Sequence, residues 1–172
     1  MAISFGSNGV KPYVGGKEVQ EAYVGSQLVY RATPPFNGVF FDSTTKFILE
    51  GYAISPSPSK IEELAQSTAY SAGYYIYLLN QTGTTSLPYI RWGGLNIPEF
   101  NTLVISSPYY HDYPRSFTVL LTFKDGTSLN TTVSAWLNNP GRINIDGKRI
   151  AEMEIRGAAL GNVHLISNIS LI

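Results

Sequence analysis

The run "SFTVLLTF", Ser116 to Phe123, places Phe117, Val119, Leu121 and Phe123 at every second position, with Thr118, Leu120 and Thr122 between them. Alternation with period two marks a half-buried β-strand, because successive side chains leave a strand on opposite faces. Asp125-Gly126 follows and turns the chain towards "TSLNTTVSAWL". Asp146-Gly147 likewise joins "GRINI" to "KRIAEMEIRG", where Ala151, Met153 and Ile155 oppose Glu152, Glu154 and Arg156. In "NVHLISNISLI" the residues Val163, Leu165, Ile169 and Leu171 fall in register, and His164 alternates against its neighbours, which reads as a surface or satisfied position rather than a catalytic one. Roughly six to nine strands with Gly- or Pro-containing turns predict an all-β fold, a two-sheet antiparallel sandwich. A composition with 16 Gly and 12 Tyr suits strands and tight turns. One short helix is expected over Lys60 to Ser67, where Ser59 and Glu62 form a capping box and Ile61, Leu64 and Ala65 share a face.

The N-terminus repeats itself. In "PYVGGKEVQEAYVGSQLVYRA" Tyr-Val-Gly occurs at Tyr13 and again at Tyr23, and Gly15-Gly16 and Gly25-Ser26 are two-residue turn signals. They predict a three-strand meander from about Lys11 to Ala32, within an anchoring segment 1–32. Thr33-Pro34-Pro35 cannot continue a ladder, since proline has no N–H to give, so 33–36 reads as a linker and 37–172 as the sandwich. The turns set Val14 opposite Lys17, Pro12 opposite Val19, Tyr23 opposite Leu28 and Glu21 opposite Tyr30. One face then collects Pro12, Val14, Val19, Tyr23, Leu28 and Tyr30. Six apolar side chains cannot offset the backbone entropy of ordering the segment, so the meander needs a surface to lie on. That surface is its own sandwich, a symmetry mate or another protein.

Charge and chemistry exclude several classes. Twelve basic and twelve acidic residues cancel and are scattered, which argues against nucleic acid as a partner. There is no cysteine, so neither disulfides nor thiolate metal sites contribute. The opening "MAISFGSNGV" lacks a secretory pattern and no run is long enough to span a membrane, so synthesis in the cytoplasm is expected. No metalloprotease, nucleophile-elbow, phosphate-loop or calcium-loop motif is present, and His111 and His164 lie far apart. Glu152 and Glu154 share a strand face and read as solvated strand charges rather than a catalytic pair. Neither enzymatic activity, nor a metal, nor a cofactor is expected.

The cluster that attracts a binding role is "SSPYYHDYPRS". Tyrosine combines a flat apolar ring with a polar tip, which suits sugar rings and protein partners. Tyr109, Tyr110, Tyr113 and Arg115 are the candidate ligand-binding residues here, with Trp92 in "RWGG" as a second aromatic platform. The competing reading is that one or two of the tyrosines fold back over the core edge. Trp136 is expected in the core.

Two resemblances bear on function. From Trp92 to Ile172, the order "GGLNIPEF", two strands around "FKDGTSL", "IAEMEIRG" and "VHLISNISLI" resembles galactose-binding-like jelly rolls, the fold of many carbohydrate-binding modules. In that family the closing strand often carries an aspartate that helps hold calcium; this chain has Ser167 and Asn168 there. Tyr13-Val14-Gly15, Val19, Tyr23-Val24-Gly25 and Val29-Tyr30 resemble N-terminal segments of structural proteins of tailed, crAss-like bacteriophages. The second resemblance implies a virion structural protein, a capsid-decorating head fibre subunit on the virion surface, assembled in the host cytoplasm. Its partners would be other virion proteins and further copies of itself, as a dimer or trimer. The first implies a carbohydrate-binding module or tail-fibre adhesin that recognises host or mucosal glycans.

Overall fold

Phe117, Val119, Leu121 and Phe123 are all buried, as their spacing requires, and the strand that carries them has a partner on each side. The computed structural model describes residues 36–79, 86–110, 114–158 and 162–172, and the backbone of 13–14, 17–18, 21–24 and 27–31. The chain divides into two compact units, Met1–Pro35 and Phe36–Ile172.

Among the described residues of the first unit there are two antiparallel strand pairs, within the segment where a meander is expected. Strand β1 (Tyr13–Val14) pairs with β2 (Lys17–Glu18), and β3 (Glu21–Val24) pairs with β4 (Gln27–Arg31) in a separate ladder. The expected pairs Val14 with Lys17 and Tyr23 with Leu28 are present. Glu21, however, faces Arg31, and Tyr30 faces Ala22, because the register shifts between Ala22 and Tyr23. An extra residue on one strand displaces every later pair. Pro12 and Val19, with both turn dipeptides, lie outside the described residues.

The second unit is a sandwich of antiparallel strands. Its strands are β5 (Val39–Asp42), β6 (Phe47–Ile48), β7 (Tyr52–Ser55), β8 (Lys60–Leu64), β9 (Gly73–Leu79), β10 (Tyr89–Trp92) and β11 (Thr102–Ser106). They continue with β12 (Arg115–Phe123), β13 (Ser128–Ala135), β14 (Gly141–Asn144), β15 (Ile150–Gly157), β16 (Val163–Ile166) and β17 (Asn168–Leu171). One sheet has the order β13-β12-β15-β10-β7 and the other β14-β11-β17-β5-β6. A third, β16-β9-β8, prolongs the second sheet. The junction is Ser167, between β16 and β17, whose N–H donates to Ser106 and whose carbonyl accepts from Ser43, both at 2.9 Å. Between the layers lie Phe40, Trp92, Phe117, Met153, Ile155 and Ile169, fully buried. Phe40 packs edge-on against Trp92 at 5.2 Å between ring centroids.

Local breaks in alternation account for two departures from expectation, at Ala151 and at Ser167, and the expected Asp146-Gly147 turn lies between them. Phe123 pairs with Ile150 while Thr122 pairs with Glu152, so Ala151 bulges out and Ile150 takes the core position beside Met153. Asp146 and Gly147, both at positive φ, form a tight turn closed by the Lys148 N–H on the Ile145 carbonyl at 3.0 Å. That turn carries the chain from one sheet to the other, because β14 and β15 belong to different layers. At Ser167 the facing reverses: Ile169 and Leu171 enter the main core, whereas Leu165 joins a separate cluster with Tyr75 and Tyr109.

The expected helix at Lys60 to Ser67 is absent; Lys60–Leu64 is strand β8, paired residue by residue with β9. The Ser59 hydroxyl accepts from the Leu79 N–H at 3.1 Å instead of capping a helix. The segment is too short for helix propagation to compete with a ready-made ladder. Trp136, expected in the core, is half-buried in a turn where it bridges to Asn139.

His164 takes the satisfied position of the two expected, buried inside the sandwich. Its ring packs against Phe117 at 5.8 Å and fills the space over Gly157, where a Cβ would come within 2.7 Å of Nδ1. Nδ1 donates to the Asn162 carbonyl at 3.3 Å. Burial, opposed in part by that hydrogen bond, lowers its pKa to about 4 from 6.5. The unfolded chain therefore takes up this proton first as the pH falls. The stabilisation is complete above about pH 6.5 and is lost progressively down to about pH 4, roughly 3 kcal/mol in all. Thermal unfolding across that interval should show a steep loss of Tm in the wild type and a shallower one in His164→Gln; identical slopes would contradict the assignment.

Candidate functional site

Because β12 turns its apolar residues inward, each neighbour in the same sheet must turn its polar residues outward, and the register aligns them in rows. Thr118 stands beside Thr132 on one side and Arg156 on the other, and Arg156 beside Tyr89, which in turn faces Ser55. The next row runs Asn130, Leu120, Glu154, Arg91 and Ala53. Ser128, Thr122 and Glu152 begin a third.

The centre of this outer face is charged and internally paired. Arg91 Nη2 donates to Glu152 Oε2 at 2.8 Å, and Arg156 forms an ion pair with Glu154. The hydrogen bond and then the charge of Glu152 hold the Arg91 guanidinium even more firmly protonated than usual. Arg91 and Glu152 are close to half-exposed, whereas the Glu154 side chain is 14% exposed. Between them a depression of about 220 Å³ is lined by Arg91, Leu120, Thr122, Glu152 and Glu154. Each carboxylate keeps free acceptor positions and each guanidinium free donors, held in place by the ion pairs.

The aromatic residues expected to bind ligand are placed differently. Trp92 points inward from β10, fully buried, with its indole N–H donating to the Leu49 carbonyl at 3.0 Å, so neither ring face is open to a ligand. Tyr109 is buried too. Its hydroxyl donates to the Val163 carbonyl at 2.6 Å, a bond shared with Arg115 Nε at 3.1 Å. The Arg115 guanidinium lies 4.2 Å over the Tyr109 ring, and Tyr70 packs edge-on at 5.7 Å. Burial pushes the Tyr109 hydroxyl up to about 12. These contacts pin the loop over Tyr75 and Leu165 on the outer side of the small sheet, the fold-back alternative for this tyrosine.

Tyr110 is half-buried beside it, with its N–H on the Ala69 carbonyl at 3.2 Å. Tyr113 lies outside the described residues. The structure thus brings Tyr109, Tyr110 and Arg115 together, and leaves Trp92 in the core. Of the expected anchoring residues, Val14, Tyr23, Leu28 and Tyr30 lie in the N-terminal hairpins.

Tyr89, Arg91 and Arg156 were not among the expected site residues. The only signal was the alternation of Glu152, Glu154 and Arg156, which shows a charged strand face but not its neighbours. Among the described residues, no three His, Asp or Glu side chains converge as a metal site would require.

Comparison of the sequence finds no matching protein-family model and no matching curated protein. Comparison of the fold finds solved β-sandwich structures. An exo-β-agarase matches over 79% of this chain with a TM-score of 0.52 and 11% identity, and the match spans 25% of the agarase chain. A xylan-binding domain of carbohydrate-binding family 22 matches over 80% of this chain and 97% of its own length, with a TM-score of 0.44 and 14% identity. A family 28 carbohydrate-binding module specific for non-crystalline cellulose matches over 83% and 92%, with a TM-score of 0.37 and 11% identity. The unit 36–172 is an all-β, antiparallel sandwich.

Proposed function

We propose that the sandwich is a carbohydrate-recognition domain whose binding surface is the outer face of the β13-β12-β15-β10-β7 sheet, and that the N-terminal hairpins attach it to a larger assembly. The observation that carries this reading is the alignment of Tyr89, Arg91, Glu152, Glu154 and Arg156 on the adjacent strands β10 and β15. Sugar hydroxyls donate and accept in equal measure, and this face offers fixed acceptors from two carboxylates and fixed donors from two guanidinium groups. Tyr89 supplies a ring for the apolar face of a pyranose. Ion pairing orders these long side chains before a ligand arrives, which lowers the entropy cost of binding. Threonine, serine and asparagine extend the hydrogen-bonding surface on both flanks.

A glycan array followed by calorimetry tests the reading. Tyr89→Ala and Arg91→Ala are each expected to weaken binding by about tenfold or more, equivalent to ~1.4 kcal/mol. Tyr110→Ala, on another surface, should leave it unchanged. Absence of binding to every glycan, or binding that both face variants retain, would refute it.

A second reading concerns where the domain is displayed. The paired hairpins and the repeat they arise from support an attachment device of the kind borne by phage structural proteins, with the sandwich as a capsid-decorating head fibre or tail-fibre tip. Among the described residues, those of the apolar core lie within 36–172, the unit that carries the whole sandwich. Deletion of residues 1–35 should therefore leave a cooperatively folding, glycan-binding sandwich that no longer joins its assembly. Loss of folding would instead make the hairpins part of the sandwich.

A further inference from the structure

We propose that the protein forms a two-fold dimer by pairing strand β13 with β13 of a second copy, giving a continuous ten-stranded sheet. The edges of β-sheets carry unpaired N–H and C=O groups, and proteins protect them with short strands, charges, proline or bulges. The other edges here are protected in those ways. Strand β6 has two residues, β14 and β16 have four each, β7 has four and runs into Pro56, and β8 carries Lys60, Glu62 and Glu63. Strand β13, "SLNTTVSA", has eight residues without a charge or a proline, and its pairing with β12 has no register shift. No described strand covers its outer edge.

The hairpin fixes which of its backbone groups are free. The Phe123 N–H donates to the Thr127 carbonyl at 2.9 Å, so this pair is hydrogen-bonded, and every second pair beyond it is too. Leu129, Thr131, Val133 and Ala135 therefore bond to β12, while Ser128, Asn130, Thr132 and Ser134 aim their backbone groups away. At the Ser134 end the neighbouring β14 crowds the edge, since a Cβ at Gly141 would come within 3.1 Å of the Ser134 carbonyl oxygen. Ser128, Asn130 and Thr132 remain, and among the described residues no hydrogen bond reaches their outward groups from another element.

An antiparallel copy centred on Asn130 sets Asn130 opposite itself and Ser128 opposite Thr132, and both partners use all three outward residues. No other centre does so. The axis is normal to the sheet, so the side chains of Ser128, Asn130 and Thr132 lie on the same outer face in both copies.

Sedimentation of the full chain is expected to show a dimer. Since Asn130 meets its own copy at the axis, N130K and N130E should each sediment as folded monomers, and an equimolar mixture should restore a 1:1 dimer. N130P removes only an outward N–H and should also give a folded monomer, whereas T131P removes a ladder bond and should lower Tm. A wild type that stays monomeric, a dimer that N130K and N130E both retain, or a mixture that fails to pair would each overturn the proposal.

Discussion

Strand β12 constrains the rest of the sandwich because it is paired along nearly its whole length on both sides, with β13 and with β15. Its four inward residues sit in the main core, and any slip of one residue would exchange them for Ser116, Thr118, Leu120 and Thr122. That penalty locks the register of the two neighbours, and β15 then locks β10, and β10 locks β7. The outer face is a consequence of this chain of registers. Arg91 can reach Glu152 only because Ile90 and Trp92, on either side of it, are both committed to the interior.

The same reasoning shows what a reader of the sequence can and cannot recover. Strand β12 and its hairpin are legible because alternation and Asp125-Gly126 are local signals. The sandwich is legible for the same reason, repeated along the chain. Lys60–Leu64 was misleading because a capping-box pattern is local too, yet the partner that made it a strand, β9, is supplied from further along. The bulge at Ala151 and the reversal at Ser167 are invisible to periodicity, since each shifts the phase by one residue where a neighbouring strand permits it. For the candidate face, the charges of β15 could be read, but not that Tyr89 and Arg91 would lie beside them. That adjacency joins residues about sixty positions apart.

Aromatic residues illustrate a different limit. Composition shows that tyrosine is abundant, and a tyrosine-rich loop invites a binding role, but a ring's usefulness to a ligand depends on which side of a layer it meets. Trp92 and Tyr89 lie on one short strand with opposite facing, one buried beside Phe40 and the other on the polar face. Tyr109 is drawn inward because its hydroxyl finds the Val163 carbonyl and its ring finds Arg115, which together satisfy both its polar tip and its π-face.

A sheet that recognises ligand on its outer face has to leave that face uncovered, and therefore cannot use it to associate with other copies. An edge has no such conflict. The proposed hydrogen-bonded extension at β13 would add area in the plane of the sheet and would put two copies of the Tyr89, Arg91, Glu152, Glu154 and Arg156 constellation on one side of a single surface. A polymer of repeating sugars offers the same group many times, so two faces held in a fixed relation convert a second contact into an intramolecular one. Individually weak contacts at the depression of about 220 Å³ would then suffice without any deepening of the site.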